Sequence, residues 1–244
     1  MNATIKVGLF YILTFIFTII LGGMQQILRI GAEIIILPQL GPGLAALIML
    51  VIFKKDKATV TVSVKNAQTL KYIGAFVVPL LVSAVLFLIY RQFIGQIIFP
   101  SLSGISLLIL LGGMLIGAFG EELGWRGYLQ PILEGKVNVL VASLLVGVLW
   151  GLWHVGNYQH GVVYLLSFIL STIGYSVIMA WILQGTSNNV VIAWLFHFAV
   201  NVGFFLLKDA LADLSFMMLN GLVWAMVATI IVLVKRKDGS QGER

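Results

Sequence analysis

The 244-residue chain has no cysteine, only five prolines and three histidines, and only 10% of its residues are charged. The lack of cysteine excludes a disulfide framework, a thiolate nucleophile and thiolate metal ligation. The scarcity of charge excludes a water-soluble domain. Globular proteins carry about 25% charged and about 45–50% apolar residues, whereas 60% of this chain is hydrophobic and its mean hydropathy is +1.07. With so little polar surface to meet water, most of the solvent must be lipid. The net charge of +6 does not imply nucleic acid, because the basic residues sit at the ends of apolar runs rather than on one folded face.

Crossing a bilayer takes about 20 apolar residues in a helix. Eight such runs read off the sequence, at 7–23, 34–53, 72–90, 103–119, 139–156, 162–184, 190–207 and 216–234. The second is the weakest, interrupted by Pro38, Gly41, Pro42 and Gly43. The first has no small-residue cleavage site after it and reads as a span rather than a signal peptide. The expected fold is all-α: a polytopic membrane bundle of about eight helices forming one domain over 1–244, without repeats or a soluble module. Eight spans put both termini on one side. Of the fifteen basic residues only Arg29, Arg91 and Lys208 fall on the other side, so the positive-inside rule makes the terminal side cytoplasmic. A compact chain with short loops suits a bacterial plasma membrane.

Three charges break the pattern. After the fourth run come Glu121, Glu122 and Arg126, and the helical pattern continues to about Leu133 before the turn Glu134-Gly135-Lys136. Glu121 then lies 13 residues, about 20 Å, from that turn and inside the bundle, where an ionisable group is costly and usually functional. Glu122 and Arg126, four apart, share a helix face and can neutralise each other. Glu121 points elsewhere and has no opposite charge nearby in sequence. Two histidines lie at compatible depth: His154 in the fifth run, and His197 in the seventh with Asn201 four residues on. His160 falls in an outer turn and reads as a solvated loop residue. The pairs Gly113/Gly117, Gly120/Gly124 and Gly147/Gly151 allow the helices that carry these groups to approach closely.

A glutamate and a histidine together hold and deprotonate a water, while a histidine and an asparagine donate hydrogen bonds to an oxyanion. These are the parts of a water-mediated peptide or ester hydrolase. A zinc ion held by Glu121, His154 and His197 is the second choice, ranked lower because no His-Glu-x-x-His pair is present. From a different class, buried Glu and His residues also suit a proton-coupled transporter, although no inverted repeat accompanies them.

Glu121-Glu122-x-x-x-Arg126, Trp150-x-x-x-His154 and His197-x-x-x-Asn201, on three separate runs, resemble the three motifs of the CAAX-processing and bacteriocin-processing intramembrane proteases, the CPBP or Abi family. The likeness covers about 104–203, with Trp150 standing where the family usually has phenylalanine. The resemblance implies an eight-helix membrane endopeptidase whose cavity opens to the cytoplasm, acting on a peptide or lipidated protein among membrane lipids without a cofactor. It implies that Glu121 and His154 activate water, that His197 and Asn201 stabilise the oxyanion, and that Glu122 and Arg126 support the fourth helix. A non-catalytic bacteriocin immunity protein carrying the same motifs is the alternative.

Overall fold

The structure is a computed structural model describing residues 2–54, 61–62, 69–101 and 104–241, with side chains as far as 234. Of the residues in the charge tally, Lys55, Lys57, Lys65 and Arg244, and the side chains of Lys235, Arg236 and Lys237, lie outside the described residues. Among the described residues all eight apolar runs contain helix, and with the short continuation of the fourth run there are nine α-helices. They are α1 (Ala3–Ile27), α2 (Gly41–Ile52, led by a 3-10 turn over Leu37–Leu40), α3 (Thr69–Phe93), α4 (Gly104–Gly124), α5 (Gln130–Glu134), α6 (Val139–Trp153), α7 (Val162–Leu183), α8 (Val190–Leu206) and α9 (Leu214–Gln241). No named strand occurs among the described residues, where a single isolated bridge joins Thr61 and Asn189. The protein is an all-helical membrane bundle.

Local chemistry sets the helix ends. The side chains of Asn2, Asn138 and Asn189 accept from Thr4, Val141 and Val191 amides and cap α1, α6 and α8. Pro42 sits in the first turn of α2, where its missing N–H leaves no donor unpaired. The fourth run does continue past its charges: α4 passes through a π-helical stretch, Trp125–Leu129, into α5. Five helical stretches are long and apolar enough to cross a bilayer, at Ala3–Ile27, Thr69–Phe93, Gly104–Glu134, Val162–Leu183 and Leu214–Val234. Leu37–Ile52, Val139–Trp153 and Val190–Leu206 are shorter. One expectation needs correction: α6 stops at Trp153, so His154 caps its end rather than lying within it, and a 3-10 turn over Val155–His160 follows.

The bundle is built around α7, which packs against α6 and α9, while α8 bridges α3 and α4, and α2 joins α1 to α4. Glycine makes the closest crossings possible. A Cβ at Gly113 would lie 1.9 Å from the Ile34 carbonyl oxygen, and one at Gly147 would lie 2.5 Å from the Ile173 Cα. The glycine face of α4 therefore seats the 34–43 segment, and that of α6 seats α7. Large apolar side chains such as Ile19, Leu70, Leu88, Leu108, Leu166 and Leu222 stay exposed on the outside of the bundle, as lipid-facing positions do. The helix order puts the connections 28–36, 154–161 and 207–213 at the end opposite the termini, and the connections 135–138 and 184–189 at the terminal end.

Candidate active site

Glu121, Glu122 and Arg126 have no solvent exposure. The two carboxylates, adjacent in sequence, meet different surroundings because neighbours on a helix diverge by about 100°. Arg126 Nη1 donates to Glu122 Oε1 at 2.9 Å, which is the predicted i,i+4 ion pair. The same oxygen lies 2.8 Å from His197 Nδ1. The Arg126 guanidinium also stacks 4.4 Å from the centre of the Trp150 ring, a cation–π contact that covers part of a charge otherwise costly to bury. The Asn188 side chain bonds the Arg126 carbonyl at 2.9 Å and ties the π-helical stretch to the α7–α8 turn.

Glu121 is held by neutral donors. Gln39 Nε2 donates to Oε1 at 2.8 Å and Trp150 Nε1 donates to Oε2 at 2.7 Å. Both oxygens are oriented, yet neither contacts a cation. Gln39 is the residue that sequence reasoning missed. It comes from the turn before α2, 82 positions away, and no spacing rule links it to the α4 motif. Its one trace in the sequence is Pro38, which fixes the turn that presents it.

Hydrogen bonding settles the two histidine rings. His154 Nδ1 lies 2.9 Å from the Trp150 carbonyl oxygen. A carbonyl only accepts, so Nδ1 carries the proton and a neutral His154 has an unprotonated Nε2 on its opposite edge. In the same way a proton on His197 Nδ1 is given to Glu122. A neutral His197 is then a base at Nε2, and a doubly protonated one is a donor backed by a buried carboxylate. The side chain of Asn201, one turn beyond His197, makes no hydrogen bond among the described residues.

All four sequence-predicted residues, Glu121, His154, His197 and Asn201, line one cavity of about 180 Å³, together with Gln39 and Trp150. Glu122 and Arg126 lie behind it and do not line it. His160 is exposed in its turn, as expected. A larger groove of about 580 Å³ runs along α3 and α7 and contains none of these residues. Among the described residues no three His, Cys, Asp or Glu side chains are grouped so as to hold a metal ion.

The fold and the site thus define a helical membrane protein in which a buried carboxylate, two imidazoles and a carboxamide line one cavity. Residues 103–203 match the family described as type II CAAX prenyl endopeptidase Rce1-like. The chain is also similar to lysostaphin resistance protein A of Staphylococcus haemolyticus (strain JCSC1435), 26% identical over 238 residues, which is 94% of this chain and 65% of the relative. The protein of the same name from Staphylococcus aureus (strain Newman) is 28% identical over 227 residues, 90% of this chain and 54% of the relative. The chain therefore spans between about half and two thirds of these relatives.

Proposed function

We propose that the protein is an intramembrane endopeptidase that hydrolyses a peptide bond in a membrane-associated peptide or lipidated protein, with no metal taking part. The observation that carries this reading is the convergence of Glu121, His154, His197 and Asn201 on one cavity. Glu121, oriented by Gln39 and Trp150, and the free Nε2 of His154 take a proton from a water between them as it attacks the scissile carbonyl. The tetrahedral oxyanion is met by the Asn201 amide and by doubly protonated His197, whose second N–H rests on Glu122. Collapse of the intermediate breaks the C–N bond, and the proton taken from water passes to the leaving amine.

Glu121→Gln is nearly isosteric and removes the base. It should lower turnover of any responsive peptide by at least about 100-fold, the usual scale for a general base, while purified protein keeps its helix content. An unchanged rate would overturn the role of Glu121. Stoichiometric zinc, lost together with activity on chelation, would overturn the metal-free mechanism.

The relatives are named for resistance to lysostaphin, and that name favours a second reading in which this chain confers the same resistance. Scoring resistance in cells that carry Glu121→Gln separates the two. Resistance that persists without the glutamate assigns it to binding rather than cleavage.

A further inference from the structure

We infer that the cavity is open to the extracytoplasmic side of the membrane and receives polypeptide from that side. The choice of polypeptide as substrate rests on the hydrolytic reading above; the sidedness stands without it. The first ground is which residues line the cavity. Asn157 and Leu211 come from the connections 154–161 and 207–213 at the end opposite the termini, and Gln39 from the 3-10 turn that enters α2 from that end, whereas no described residue of the connections 135–138 and 184–189 lines it. Along α7 the lining runs from Tyr164, near the helix start, down to Tyr175, a depth of about 16 Å.

The second ground is that the other end is closed. Below Glu121 the π-helical stretch buries Trp125, Tyr128 and Leu129 completely. Phe10 of α1 packs against Trp125 and Tyr128 at ring distances of 5.6 and 5.5 Å. This aromatic layer closes the terminal end of the cavity.

The third ground is charge. Arg126 proves to belong to the buried site, which leaves eleven basic residues on the terminal side of the sequence against Arg29, Arg91 and Lys208 on the cavity side. A bias of that size orients a bundle with its termini in the cytoplasm. The two sequence expectations, cytoplasmic termini and a cavity facing the cytoplasm, therefore cannot both hold in this fold. The charge distribution decides for the termini.

The absence of cysteine makes the test clean, since each introduced thiol is the only one in the chain. Single variants Gln159→Cys and Leu211→Cys report the cavity end, and Ser187→Cys reports the other end. With a membrane-impermeant maleimide on spheroplasts, the first two should label several-fold faster than Ser187→Cys. In inverted vesicles the order should reverse. Denaturation in detergent, which exposes every thiol, confirms that each variant is present and labelable. Labelling of Ser187→Cys from outside, or equal labelling from both sides, would overturn the sidedness. For the substrate, membrane proteins of cells carrying the wild type and Glu121→Gln are compared for new chain ends. Glu121-dependent ends in extracytoplasmic segments support the proposal, and such ends confined to cytoplasmic segments overturn it. Their complete absence refutes the hydrolytic reading and leaves the labelling result intact.

Discussion

At the scale of single residues the site separates two adjacent glutamates by their partners. Glu122 is tied to a cation and to an imidazole, and Glu121 only to neutral donors. Glu122→Gln leaves Arg126 as a buried charge without its counter-ion, which costs about 3–5 kcal/mol. That variant should melt well below the wild type, whereas Glu121→Gln should melt close to it. Differential scanning of both in detergent checks the contrast, and equal melting points would mean that Arg126 finds other compensation. Trp150 makes a finer point. Phenylalanine there would keep the ring packed against Tyr175 and His197 but would lose the N–H to Glu121. Trp150→Phe should fold normally and lower kcat about tenfold, or about 1.4 kcal/mol, with little change in KM. A rise in KM alone would argue against a positioning role. The sequence showed the Glu122–Arg126 pair because four-residue spacing fixes it. It hid the Gln39–Glu121 and Glu122–His197 bonds, which span 82 and 75 residues and depend on how the helices cross.

Among the helices, the glycines of α4 differ in what faces them. At Gly113 an added Cβ meets backbone, the Ile34 carbonyl oxygen at 1.9 Å, and the main chain of the 34–43 segment must move. At Gly117 it meets the tip of Gln39, whose Oε1 would lie 2.1 Å away. A flexible side chain yields cheaply. Gly117→Ala should therefore cost little stability yet swing Gln39 off Glu121 and lower activity. Gly113→Ala should cost about 1–3 kcal/mol, the usual range for overpacking. Thermal melts and turnover on the same preparations distinguish them, and a Gly117→Ala protein with full activity would show that Gln39 is dispensable. At the far end of the bundle, the Tyr90 hydroxyl of α3 donates to Asp213 Oδ2 at 2.7 Å, while the Ser215 amide donates to Oδ1 at 2.7 Å at the start of α9. The Tyr90 bond, more than any other contact, holds the Asp213 carboxyl below its ordinary range. A depressed carboxyl stabilises the fold above the ordinary carboxylate range, and that stability is lost as the pH falls through the lower folded-state value. Below about pH 4 the wild type should thus lose melting temperature more steeply than Tyr90→Phe, and parallel curves would refute the latch. Helix existence was legible throughout because long apolar runs allow little else in lipid. The end of α6 was not legible, since no proline interrupts the run from Val139 to Gly156 and the chain turns at His154 for tertiary reasons.

Across the whole molecule, helix length sorts with function. The five stretches long enough to span the membrane include only one that carries a candidate residue, Gly104–Glu134 with Glu121. The three shorter helical stretches carry Gln39 on Leu37–Ile52, Trp150 on Val139–Trp153 with His154 just beyond its end, and His197 and Asn201 on Val190–Leu206. At 1.5 Å per residue the fifteen residues of α6 reach about 22 Å, short of a hydrocarbon core of about 30 Å. A helix that stops inside the bilayer leaves its following turn at membrane depth. Irregular backbone is tolerated there only where protein covers it or water reaches it. The turn Val155–His160 is mostly exposed, and its Asn157 lines the cavity, so water must reach it. The long helices thus form a lipid-facing frame, and the short ones enclose a wet recess through which water would reach Glu121 for the proposed hydrolysis. Hydrogen exchange in lipid nanodiscs measures this directly. Amides of residues 155–160 should exchange orders of magnitude faster than those of α7 between Thr172 and Ala180, which are largely buried. Equal protection of the two segments would mean that the turn is sealed from water, and a water-consuming reaction at Glu121 would then have no supply from this side.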